Sequence, residues 1–271
     1  MPAPPAQPEL TSAADPARTW LNHFDAFSTF HWTTLGVCVG VIAIWCVIGR
    51  RLRSLDRTDA GQREPRFRSA LAWSFIAWQI FATIWRVLPQ NFDLNESLPL
   101  HMCRIVGWIA PFALMTLHWR LRAVIFFWGL GLSTQGFFTP MWHDGLASVA
   151  FWLYWVGHVV IIGTGIYDLT VLGYRPRLRH LGFAAIAGAI LTIGIAAFNV
   201  ACHTNYCYLG KGDYEGTSVV DILGDWPARP TIIIGASEIL FVVMYAVARA
   251  IEALVSRSNA RGAPPAATPD P

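Results

Sequence analysis

The sequence predicts an all-α fold: a polytopic membrane protein built as a seven-transmembrane-helix bundle, N-terminus outside and C-terminus inside. Three observations predict it. Seven apolar stretches are each about 20 residues long, 54% of the 271 residues are hydrophobic against 14% charged, and the arginines gather in alternate loops. At ~1.5 Å rise per residue such a stretch crosses ~30 Å of hydrocarbon, and lipid forces it into helix because a lone strand would leave its backbone unpaired. Globular chains carry about 25% charged residues, so soluble and disordered readings are both excluded. A formal net charge of +3 gives no support to a nucleic-acid partner.

The elements follow in order. Residues 1–30, opening MPAPPAQPEL, lack a basic segment leading into an apolar run. They read as a disordered or interfacial segment with no cleavable signal peptide, and the first span acts as the insertion signal. The transmembrane domain, 31–255, holds spans at 32–49, 69–88, 98–117, 121–139, 151–172, 181–200 and 231–253. Ser97-Leu98-Pro99 has the form of a helix start, with Ser97 as N-cap and proline in the first turn. Residues 201–230 form the longest loop, rich in glycine and tyrosine, as in a lid over a cavity mouth. Residues 256–271 read as a disordered tail. Trp32, Trp85, Trp119, Trp142, Trp152 and Trp155 fall near span ends, where an indole sits at head-group depth.

Orientation comes from charge. Arg50, Arg51, Arg53, Arg57, Arg63, Arg66 and Arg68, then Arg120 and Arg122, then Arg175, Arg177 and Arg179 place twelve of the 20 basic residues in three alternate loops. Asp93, Glu96, Asp144, Asp213, Glu215, Asp221 and Asp225 lie on the other side. Positive residues stay inside, which gives an inner cell membrane protein with an external N-terminus.

Polar side chains inside spans cost a few kcal/mol each, so their depth is informative. His101, Cys103 and Arg104 on the third span, Gln135 and Thr139 on the fourth, His158 on the fifth, Asn199 on the sixth, Glu238 on the seventh and Arg86 on the second all fall in the outer half. This predicts one outward-opening polar cavity; interhelical hydrogen bonding is the alternative. On a helix starting at Leu98, His101, Arg104 and Trp108 share a face and Cys103 points about 200° away from His101. A base for Cys103 then comes from another helix, and His158 lies at matching depth. Gly129, Gly131, Ser133 and Gly136, with Gly157, Gly163 and Gly165, allow close packing or a groove beside His158. Cys202 and Cys207 lie on the oxidising side, where pairing is one alternative. No zinc pattern, P-loop, GxSxG or HExxH occurs, so neither metal nor cofactor is expected.

At LPLHMC (98–103), FFWGLGLSTQGFFTP (126–140), the His158 helix running to GYRP (173–176), and NYCYL (205–209) followed by LGDWP (223–227), the chain resembles the YwaF-type bacterial integral membrane family. That family is similar to eukaryotic TMEM-type seven-span membrane acyltransferases and, more remotely, to androgen-induced-gene-type intramembrane lipid hydrolases. The resemblance implies a seven-helix bundle and acyl transfer on phospholipids through a nucleophile and a histidine. The chain departs from it at Leu100, where eukaryotic relatives place their cysteine, and at Arg104, where bacterial relatives favour an acid.

Three functions stay open at this point. One is a lipid acyltransferase or hydrolase with Cys103 as nucleophile and His158 as base, and with Gln135, Asn199 or backbone donors at the oxyanion. The second binds or transports a lipid or small molecule in the same cavity, with Arg86, Arg104 and Glu238 supplying charge. The third is an accessory subunit of a larger membrane complex. Membrane lipids are the expected partners in the first two, membrane protein subunits in the third.

Overall fold

Membrane-length apolar segments close their own backbone hydrogen bonds as helices. In a computed structural model describing residues 20–140, 143–211 and 224–261, the named elements are all helical. They are α1 (Thr29–Asp59), α2 (Arg63–Val87), α3 (Met102–Thr116), α4 (Trp119–Val124), α5 (Gln135–Phe138), α6 (Val149–Thr170), α7 (Leu178–Cys202) and α8 (Ala228–Arg261). A π-helix, Ile125–Leu132, joins α4 toward α5, and Tyr206–Tyr208 form one 3₁₀ turn after α7. Residues 1–19, 141–142, 212–223 and 262–271 lie outside the described residues. The expectations for Arg18, Trp142, Asp213, Tyr214, Glu215, Asp221 and most of both tails fall there.

Five helices among the described residues, α1, α2, α6, α7 and α8, are long and apolar enough to cross a membrane. The third and fourth stretches differ from the full-length helices expected. α3 has 15 residues, or about 22 Å. It starts at Met102 because Ser97 does not cap it: the Ser97 hydroxyl accepts the Asp93 N–H (2.8 Å) and closes the preceding loop instead. His101 is the N-cap, and Leu117 ends the helix in the left-handed region (φ 51°). The fourth stretch breaks into α4, the π-helix and α5. In the π-helix the Ser133 N–H reaches back to the Trp128 carbonyl (3.1 Å), while the Trp128 indole donates to the Ala184 carbonyl on α7 (3.0 Å).

Helix starts elsewhere obey local chemistry. Ser28 caps α1 by accepting the His31 N–H (3.2 Å), and Ser148 caps α6 by accepting the Ala150 N–H (3.3 Å). The arginine-rich segment after the first span is not an open loop. α1 continues through Asp59, and Asp56 accepts the N–H groups of Arg63 (3.0 Å) and Glu64 (2.8 Å), holding the start of α2 against the end of α1.

α6 is the axis of the bundle: 61% of its apolar window is buried, against 6% for α8. It packs on α1, α3 and the π-helix, while α7 and α8 pair with each other and lean on the π-helix. Of the expected groove glycines on α6, two serve packing: a Cβ at Gly163 would meet Trp45 at 2.8 Å and one at Gly165 would meet Leu130 at 2.6 Å, whereas one at Gly157 would meet nothing within 4 Å. Trp155 is not interfacial. It is buried among Phe24, Phe137 and Phe151, so the segment from Trp20 onward belongs to the bundle. Trp119 stacks on His180 with Arg120 and Arg179 over its ring.

The arginine-bearing end is fastened by buried polar pairs. Arg122 Nε donates to both oxygens of Asp168 (3.0 and 2.9 Å), and Glu64 accepts from Arg68 Nε (3.1 Å) and from the Tyr167 hydroxyl (2.9 Å). Buried charges persist only when paired in this way, and here they fix helix register.

Candidate functional site

At the opposite end, between α3 and α6 on one side and α7 and α8 on the other, lies a cavity of about 390 Å³. That is within the range that holds a small ligand or part of a lipid. Cys103, His101, Gln135, Thr139, His158 and Glu238 all line it, with Tyr154 and Tyr208.

His158 has the most defined geometry. Its Nδ1 lies 2.8 Å from the Tyr154 carbonyl oxygen. A carbonyl only accepts, so Nδ1 carries the proton and, in the neutral ring, Nε2 keeps a free lone pair. No hydrogen bond occupies Nε2 among the described residues. The ring is wedged beside Tyr154 (centroids 4.4 Å apart) and Phe137. Gly136 makes the space for it: a Cβ there would lie 2.4 Å from Nε2.

The short α5 that presents Gly136 cannot hold itself as a single turn. Two side chains hold it. The Tyr154 hydroxyl donates to the Gly136 carbonyl (2.8 Å), and His31 Nε2–H donates to the Phe137 carbonyl (2.8 Å), with His31 Nδ1 accepting the Phe27 N–H (2.9 Å). Sequence reasoning passed over Tyr154 and His31. The signal for Tyr154 was available, since it stands four residues before His158 and therefore on the same helix face.

Cys103 sits in the first turn of α3. No hydrogen bond joins its sulfur to His158; the two meet only across the cavity they both line. Because α3 begins at Met102, Arg104 and Trp108 face α2 and Cys103 faces the cavity, but His101, standing before the helix, also reaches the cavity wall. The wheel drawn from Leu98 therefore misplaced His101 alone.

Three residues expected in the cavity stand elsewhere. Arg86 and Arg104 line a separate cleft between α2 and α3. Asn199 is buried and committed: its Nδ2 donates to the Tyr206 carbonyl (2.9 Å), and its Oδ1 accepts from the Thr204 hydroxyl (2.8 Å) and the Tyr206 N–H (2.9 Å). It serves this loop and does not line the cavity.

These bonds seat the NYCYL segment as a plug. Tyr206, fully buried, accepts the Leu98 N–H at its hydroxyl (3.1 Å), donates to the Leu94 carbonyl, and packs tilted against the His101 ring. Burial pushes its phenol pKa up, with Glu96 and Asp93 adding to the rise. Cys207 Sγ accepts the Met102 N–H (3.2 Å) and donates to the Leu100 carbonyl (3.3 Å), capping α3. Cys202 and Cys207 are both free thiols. Over the same loop Glu96 binds Arg104 (2.8 Å) and His101 (3.3 Å). Burial works to raise the Glu96 pKa, but hydrogen bonds and positive charge from His101 and Arg104 outweigh it and hold the carboxyl below its usual value.

Fold and cavity together define a multi-pass helical membrane protein with a partly polar chamber at one end of its bundle. No curated protein and no solved structure matches the chain. The model of the TMEM164 family matches residues 26–248, so the chain belongs to the TMEM164 family.

Proposed function

We propose that this chain is a lipid acyltransferase whose site is the cavity shared by Cys103 and His158. One observation carries the reading: the Tyr154 carbonyl fixes the His158 tautomer so that Nε2 keeps its lone pair, beside Gly136, in the wall of the chamber that Cys103 also lines. Motif resemblance to YwaF-type and eukaryotic acyltransferase families supports it. The reading includes seven crossings, with α3 and the α4–π–α5 stretch as the two short ones, and the cavity opening to the outer leaflet of the inner membrane, as the arginine distribution argues.

In this mechanism the Cys103 thiol proton passes to His158 Nε2 as sulfur attacks the ester carbonyl carbon of a phospholipid. The carbon–oxygen bond breaks, the departing lysolipid alkoxide takes the proton from Nε2–H, and a thioester remains on Cys103. An acceptor hydroxyl then gives its proton to Nε2 and attacks the thioester; the carbon–sulfur bond breaks and the thiol recovers the proton. The Gln135 amide, on the cavity wall, is the side-chain donor for the oxyanion in this mechanism. Glu238 accepts from the incoming polar head.

A binding role without chemistry is favoured by one observation, the lack of a direct Cys103–His158 hydrogen bond. The two separate in one experiment. The full chain in nanodiscs is supplied with isotope-labelled phospholipid and lysolipid, and acyl exchange is measured for wild type, Cys103→Ala and His158→Ala. The expected result is exchange in wild type with a hydroxylamine-sensitive acyl group on Cys103, and none in either variant. Equal exchange in all three, or lipid retention with no exchange in wild type, refutes the acyltransferase.

A further inference from the structure

A second polar recess lies across α3 from the cavity. Gln79, Thr83 and Arg86 of α2, Ser97 of the loop, and Arg104 and Trp108 of α3 line it. Gln79 is only 8% exposed, yet its amide makes no hydrogen bond among the described residues. A buried amide without a partner calls for a ligand or water. The residue opposite is cut away to fit it, since a Cβ at Gly107 would lie 2.1 Å from Gln79 Nε2.

Charge in the cleft is unbalanced. Among the described residues Arg86 donates only to the Ala82 carbonyl of its own helix (3.2 Å), whereas Arg104 is shared between Glu96 and the Leu98 carbonyl (2.8 and 3.2 Å). Two guanidiniums thus face one carboxylate, with amide and hydroxyl donors beside them. Such a set recognises an oxyanion, and Arg does so with forked, charge-assisted bonds. The enclosed part holds about 10 Å³, room for one oxygen atom, so an oxyanion enters by one corner and leaves the rest of its carrier at the mouth. Along the same face of α3, four and then three residues on, Phe112 is 45% and Met115 37% exposed. An apolar track therefore leads from the cationic end along the helix.

We propose that this cleft binds the phosphodiester of a membrane glycerophospholipid, held by Arg86, Arg104 and the Gln79 amide, with an acyl chain along Trp108, Phe112 and Met115. This site is separate from the Cys103 cavity and does not rest on catalysis.

The test is native mass spectrometry of the purified full chain in detergent, with phosphatidylglycerol, a phosphate-free galactosyl diacylglycerol, or inorganic phosphate added at equal concentration. Wild type is expected to hold phosphatidylglycerol, with occupancy falling about tenfold in Arg86→Gln and in the near-isosteric Gln79→Leu, as for loss of one charge-assisted contact. Galactolipid adducts stay weak and equal in all three. Circular dichroism melting checks each fold; should Arg86→Gln not fold, Gln79→Leu and Arg86→Lys carry the comparison. Equal phosphatidylglycerol occupancy in wild type and the folded variants overturns the site. Galactolipid held as tightly as phosphatidylglycerol overturns the phosphate assignment, and binding of inorganic phosphate without the lipid overturns the lipid.

Discussion

Replacing Gly136 with alanine tests the central geometry directly, because the methyl would enter the space of the His158 ring. The new Cβ would stand 2.4 Å from Nε2 and 2.6 Å from Cδ2, where ordinary contact begins at 3.4 Å. One partner must retreat by about 1 Å. Neither is free to do so: the ring is tied through Nδ1 to the Tyr154 carbonyl, and the Gly136 carbonyl is tied to the Tyr154 hydroxyl. Overpacking of this kind costs about 1–3 kcal/mol, and a 1 Å displacement of a reacting group lowers rate by about 10²-fold. Two assays follow. Thermal melting in detergent gives the stability loss, and nitrogen-15 NMR of labelled histidine reports whether His158 keeps its Nδ1–H tautomer, with acyl exchange as the functional readout. A variant with wild-type melting, an unchanged His158 signal and full exchange refutes the proposed position of Nε2.

Two further outcomes concern the plug. Asn199→Ala strands the N–H and carbonyl of Tyr206 and the Thr204 hydroxyl, and is expected to destabilise the protein by about 2–4 kcal/mol; a loss below about 0.5 kcal/mol by melting would show the plug to be unimportant. For Glu96 the sign follows from its depressed pKa: its contribution is complete above the unfolded carboxyl value of 4.5 and fades as pH falls through the lower folded value. The side chain is more than half exposed, so screening limits this to a few tenths of a kcal/mol. Hydrogen exchange of residues 93–101 should accelerate below that pH in wild type and lose this dependence in Glu96→Gln.

Helix content and membrane residence were legible because they depend on composition over about 20 residues, which lipid converts into helix whatever the neighbours do. Helix ends were less so. Ser97 has the chemistry of an N-cap, but its hydroxyl has two backbone N–H groups to choose between, and the loop at Asp93 takes it. The arginine segment 50–68 carries charges that read as solvated loop, yet Asp56 turns it into two helix ends. The π-helix was invisible because nothing in IFFWGLGL separates a wide turn from an ordinary one; the Trp128 indole reaching the Ala184 carbonyl is a contact across 56 residues.

Polar residues at similar depth could be picked out one by one, but depth leaves the direction around each helix open. Gln135, Thr139, His158 and Glu238 turn toward one chamber with Cys103, whereas Arg86 and Arg104 turn toward another and Asn199 is spent on a loop. By itself the sequence determined that this chain is an all-helical membrane protein and which few side chains lie at costly depth. Tertiary structure alone decided which of them face each other, because rotation and register are set by contacts between distant segments, such as Tyr154 on Gly136 and Asn199 on Tyr206, that no local pattern encodes.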